Sequence, residues 1–312
     1  MGTPHFAVPS LRALAREPYI ITVVTQPDRP AGRGGKLMPP PVKELAQELG
    51  FSILQPPTLR DPQFRAALAE LRPDVTVLVA YGEYLAPALL DLPKHGSINL
   101  HPSLLPRWRG STPIQSAILA GDPVTGASII KMDRGLDTGP ILAQKSLTVA
   151  PDETYPQLSA RLAELGAELL VETLPRWLRG EIEPTPQAED GATLTHTLQK
   201  EDGLIDWAAP AEEIDCRVRA LQPWPGTYTY WQGRLLKIKR ARLFSQADLP
   251  QQQPGTVALA MGPNSNKHLI VWTGSGAVEV VQAQFESKPP VEARALLSGY
   301  PHIVGSVLGG QA

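Results

Sequence analysis

The sequence predicts an α/β protein in which a doubly wound, mostly parallel sheet precedes a small barrel or sandwich. Three observations carry that expectation. Apolar, β-branched runs alternate with helical stretches through residues 1–180. A polar segment without apolar periodicity, residues 181–203, follows and reads as a linker. Residues 204–312 then hold short strand-like runs separated by turn residues.

The elements follow in order. Gly2-Thr3-Pro4 reads as a strand-to-helix turn, with residues 8–15 as the helix after it. A domain of this kind places a strand before its first glycine turn. Only Met1 precedes this turn, so the native chain is expected to start upstream of Met1. Residues 20–25 (IITVVT) and 75–80 (VTVLVA) are uninterrupted apolar runs, the pattern of strands covered on both faces. Residues 97–100 and 127–132 supply two further strands, and residues 41–49, 62–71 and 112–119 read as the helices between them. A long closing helix is expected over residues 154–178. Thr154 and Gln157 have capping-box spacing, and Leu158, Leu162, Leu165 and Leu169 mark one face. Beyond the linker, residues 228–231, 235–238, 256–260, 268–272 and 278–283 are the candidate strands.

Composition narrows the function. The chain has 312 residues, enough for two domains, and its 42% hydrophobic content supports a sizeable core. A net charge of −2 argues against a surface coated with nucleic acid but permits a local basic face. The single cysteine, Cys216, makes no internal disulfide and completes no zinc-ligand pair. No apolar run approaches the ~18 residues of a membrane span. The N-terminal residues lack the basic and apolar regions of a signal peptide, so a cytoplasmic location is expected.

Several catalytic signatures are missing. Residues 32–37 (GRGGKL) lack the Ser or Thr that a phosphate loop carries after its lysine. There is no G-x-S-x-G elbow and no H-E-x-x-H pair, so neither covalent nor metal catalysis is expected. The informative stretch is residues 97–142. Asn99 and His101 stand at i and i+2 at the end of a strand, which puts both side chains on one side of it. An amide donor beside an imidazole suits polarising a carbonyl oxygen while moving a proton. Asp137, in the loop GLDTG, could orient that imidazole and stabilise its cation. On spacing alone the same residues equally fit satisfied loop polars. Gly110, Gly135 and Gly139 equally fit plain turn residues.

The motifs decide between these readings. Residues 99–110 (NLHPSLLPRWRG), followed by GLDTG, closely resemble the signature of formyltransferases that use 10-formyltetrahydrofolate. Residues 25–43 (TQPDRPAGRGGKLMPPPVK), YGEYLAP from Tyr81, KEDGLIDW ending at Trp207 and RALQPWPGTY from Arg219 resemble the members that formylate methionine on initiator tRNA. The likeness runs from Gly2 nearly to the C-terminus. It implies a Rossmann-like catalytic domain, a linker and an OB-like barrel. It implies Asn99, His101 and Asp137 as the catalytic trio, and Ser103, Leu104, Leu105 and Pro106 as a folate-contacting loop. The implied partners are the 10-formyltetrahydrofolate co-substrate and initiator methionyl-tRNA, with no metal and a monomeric chain. Formyl-folate enzymes acting on a nucleotide, a sugar nucleotide or water share the trio, and a silent tRNA-binding protein is the reading from a different class.

Two stretches bear on the tRNA. The loop of residues 28–36 carries Arg29, Arg33 and Lys36 among glycines, and the resemblance puts Arg33 at the acceptor end. Residues 216–246 hold seven basic residues and no acidic ones, including Lys237, Lys239 and Arg240. Trp224, Tyr228, Tyr230 and Trp231 interleave with them, as in a nucleic-acid platform.

Overall fold

The computed structural model describes residues 1–31, 35–244, 250–261 and 267–309. These form two compact units. The first comprises Met1–Pro113, Val124–Thr148 and Ser159–Thr195, and the second Ile114–Pro123, Val149–Leu158 and His196–Ala312.

In the first unit the apolar runs form strands. Thr22–Val24 pairs in parallel with Ser52–Leu54, and Thr76–Leu78 in parallel with Ser97–His101. Beyond these the sheet turns antiparallel, through Val124–Lys131 and Ile141–Thr148. The last of these strands was not expected from the sequence. Its burial alternates, with Gln144 and Lys145 in the run, so it lacks the apolar continuity of the inner strands.

Helices cover the sheet. Pro41–Glu48 and Pro62–Leu71 both open on proline, whose missing N–H has no helical partner at that position. Asp61 caps the second by accepting from the backbone of Gln63. The long helix Tyr155–Leu178 contributes Leu169, Leu170 and Leu174 to a core shared with Ile98, Leu100, Ala127 and Ile129. Each such leucine or isoleucine contributes about 1.5–3 kcal/mol on burial. Gly166 lets this helix lie close on the strand Ser97–His101, since a Cβ there would stand 2.6 Å from a Leu100 methyl.

Met1 and Gly2 lie between the segments of Val24 and Val79. The Gly2 amide donates to the Val24 carbonyl, and the Val79 amide donates to the Met1 carbonyl. The Met1 ammonium donates to the Val77 carbonyl at 2.6 Å, and its burial lowers its pKa to about 5. Beside Met1 lies a cavity of about 540 Å³, lined among others by Tyr19, Ile21, Val75 and Val77. It lies toward the amino ends of the strands Thr22–Val24 and Thr76–Leu78.

The second unit is built on an antiparallel sheet. Its order is Val257–Met261, Lys267–Trp272, Ala277–Phe285, Arg234–Phe244 and Thr227–Trp231, with Val291–Glu292 added to Ala277–Phe285. Trp207, Leu236, Ile238, Val278 and Val280 fill its core together with Ile214 and Val218 of the helix Ala211–Ala220.

Candidate active site

All five residues of the strand Ser97–His101 are buried. Its neighbours fix its register, with Leu78 opposite Asn99 on one side and Ser128 opposite His101 on the other. The period of two then carries Asn99 and His101 to the same end and the same side. Asp137 comes from the loop between Val124–Lys131 and Ile141–Thr148 and meets both. The Asn99 Nδ2 donates to Asp137 Oδ1 at 3.3 Å, and His101 Nδ1 lies 3.5 Å from Asp137 Oδ2. The Gly110 amide donates to Asp137 Oδ2 at 2.9 Å.

The imidazole has a defined tautomer. Its Nε2 is 2.8 Å from the Trp108 carbonyl, which can only accept, so Nε2 carries the hydrogen. In the neutral ring the open nitrogen is therefore Nδ1, the one facing Asp137. Burial pushes the His101 pKa below its ordinary value, outweighing the pull of the Asp137 carboxylate and of the Trp108 carbonyl. The ring is thus neutral near pH 7, with a carboxylate placed to stabilise a proton arriving on Nδ1. That is the arrangement of a general base.

Glycines shape the loop. At Gly139 a Cβ would lie 1.9 Å from the Lys131 carbonyl oxygen, so only glycine lets the loop turn back against its own strand. Asp133 ties the turn by accepting from the Gly135 amide and the Thr138 hydroxyl. Asp137 itself has φ +53°, a conformation that side chains rarely adopt and that its surroundings must hold in place.

The segment after the long helix supplies much of that hold. The amides of Arg109 and Thr195 donate to the carbonyls of Thr193 and Arg109, each at 2.8 Å. The Gln187 side chain donates to the carbonyls of Asp137 and Gly139 at 2.7 Å each. Neither Gln187 nor Thr193 stood out in the sequence, because a polar run without periodicity carries no mark of what its side chains touch.

The other expected site residues distribute unevenly. Ser103 and Leu105 turn inward, and the Ser103 hydroxyl donates to the Arg107 carbonyl. Leu104 and Pro106 are half-buried and keep part of their surface toward solvent. Lys36 is exposed on the strand Lys36–Met38, which pairs with Arg29–Ala31, while Arg33 lies outside the described residues. In the second unit Lys237 is exposed on Arg234–Phe244, and the half-buried Lys239 donates to Gln222. Arg240 is paired with Glu292 at 3.3 Å. Arg217 and Arg219 belong to internal contacts instead, with Glu213 and Asp215. Trp231 is core, whereas Trp224 is 58% exposed.

Comparison with known proteins adds to this geometry. Residues 1–174 match the model of a family described as formyl transferase, and residues 197–301 match the formyl transferase C-terminal domain. The chain is 48% identical over 300 residues to a methionyl-tRNA formyltransferase of Chloroflexus aggregans, covering 96% of each chain. It is 47% identical to one of Myxococcus xanthus, covering 98% of this chain and 96% of that one. Its fold is similar to that of HypX from Aquifex aeolicus in complex with tetrahydrofolic acid. There the TM-score is 0.62 at 18% identity, covering 92% of this chain and 48% of that one.

Proposed function

This chain belongs to the formyl transferase family, and on that premise we propose that Asn99, His101 and Asp137 carry its reaction. The enzyme transfers the formyl group of 10-formyltetrahydrofolate to the α-amine of methionine on initiator methionyl-tRNA. The product is the formylmethionyl-tRNA used in translation initiation. The observation that carries the residue assignment is that Asn99 and His101, at one strand end, each lie within 3.5 Å of the Asp137 carboxylate.

The chemistry follows from their states. The neutral amine of the esterified methionine attacks the formyl carbon. A new carbon–nitrogen bond forms as the bond from that carbon to N10 of the folate breaks. Charge builds on the formyl oxygen on the way. The Asn99 amide nitrogen carries two hydrogens, and one points to Asp137. The other is placed to meet that oxygen. His101 takes the proton from the attacking amine on Nδ1 and returns it to N10. Asp137 stabilises the imidazolium in between, so the proton never needs to leave the site.

Leu104 and Pro106 present the surface against which the folate packs, while Ser103 and Leu105 brace that loop from inside. Lys36, Lys237, Lys239 and Arg240 bind tRNA phosphates in this reading, as does Arg33, and the chain works as a monomer in the cytoplasm. The test is formyl transfer from 10-formyltetrahydrofolate to charged initiator tRNA, with uncharged tRNA and free methionine as controls. Transfer to the charged tRNA alone supports the reading. Equal transfer to free methionine overturns the role given to tRNA.

A further inference from the structure

We propose that Gln187 is a positioning residue for the reaction, setting Asp137 and through it His101. This rests on the reading of the trio as catalytic. Gln187 comes from residues 181–195, beyond the long helix, yet every polar atom of its side chain is committed to the active-site loops. Its Nε2 donates to the carbonyls of Asp137 and Gly139, two residues apart, at 2.7 Å each. Its Oε1 accepts from the Nε of Arg109 at 3.0 Å. Turning the amide over would bring an oxygen against two carbonyls and an NH2 against a guanidinium, so only one orientation is bonded throughout.

The contacts form a closed frame. Arg109 is buried and is followed by Gly110, whose amide donates to the Asp137 carboxylate. Gln187 therefore holds the backbone of Asp137 directly, and also holds Arg109, the residue next to the one that holds its carboxylate. Asp137 needs such a hold. Its left-handed backbone is one that side chains rarely adopt, and it persists only when neighbours over-determine it. The distance it must keep is 3.5 Å, from a carboxylate oxygen to His101 Nδ1. A shift of about 1 Å in such a relation lowers rate by roughly 10²-fold.

Gln187→Ala and Gln187→Glu test this, with His101→Ala measured alongside. Gln187→Glu keeps the size and an acceptor for Arg109 but has no hydrogens for the two carbonyls. Both Gln187 variants are expected to fold, with circular dichroism like the parent's. Each should lower kcat by about 10–100-fold while KM for folate and for charged tRNA stays within about threefold. The acid limb of the pH–kcat profile should also move to lower pH, because a displaced Asp137 no longer favours the imidazolium. If His101→Ala is inactive while Gln187→Glu keeps the parent's kcat and pH profile, the inference is wrong and the catalytic reading stands. If His101→Ala stays active, the catalytic reading falls and Gln187 has nothing to position.

Discussion

The strand Ser97–His101 and the strand Arg234–Phe244 both carry polar side chains for which we propose a function, and they hold them in opposite ways. The first is buried along its whole length, and its functional groups hold fixed partners in the neighbouring loops. The second alternates, with Leu236 and Ile238 inward and Lys237 outward; its Arg242 pairs with Glu279 on the adjacent strand Ala277–Phe285, and its Arg240 with Glu292 on the strand beyond that one. The contrast follows from what each must do. Moving a proton needs atoms within tenths of an ångström, which only a buried, over-determined frame maintains. Attracting a polyanion needs charge within about a Debye length, ~8 Å at physiological salt, and tolerates loose side chains.

The largest break should come at the buried strand. Asn99→Ala and His101→Ala should each lower turnover by ~10²-fold or more with folding intact, as loss of an oxyanion donor or of a general base does. Near-normal turnover in either variant, measured by formylation of charged tRNA, would remove that residue from the mechanism.

At the exposed strand the effect should be smaller and salt-dependent. Neutralising Lys237, Lys239 and Arg240 together should weaken tRNA binding by about tenfold at low salt. Each lost phosphate contact should reduce the slope of log affinity against log salt by ~0.7–0.9. Lys237 should account for more of this than Arg240, which already faces Glu292. Folate binding should hardly change. A salt slope equal to the parent's would mean that this strand does not meet the tRNA.

The smallest effect concerns pH. His101 has its folded pKa depressed by burial, so it stays neutral as the medium falls through the ordinary value of 6.5. A histidine at that ordinary value would keep only about a quarter of its neutral form at pH 6.0. At saturating substrates kcat should therefore fall by less than this between pH 7.5 and 6.0. The sign for stability is the matching one. The unfolded chain takes up this proton near 6.5 and the folded chain only below it, so this site's contribution weakens as pH falls through that window. A loss clearly greater than fourfold by pH 6.0 would show that Asp137 dominates over burial.

The sequence by itself determined the order of the uninterrupted apolar strands and the helices between them, though not the strands Ser52–Leu54 and Ile141–Thr148, and the placing of Asn99 and His101 on one side of a strand end. Both are local facts. Runs such as residues 20–25 and 75–80 have nowhere to go but a covered sheet, and a period of two follows from backbone geometry. Motifs spread from Gly2 to residues 219–228 made the family legible as well, because long ordered matches do not depend on knowing the contacts. Tertiary structure alone decided which polar residues meet. The tautomer of His101 depends on a carbonyl seven positions away, and the hold on Asp137 on a glutamine fifty positions away. It also separated Arg217 and Arg219, spent on internal pairs, from Lys237 on the open face. Charge and periodicity say that a side chain is polar, but the enthalpy of a hydrogen bond depends on a partner that only folding brings within reach.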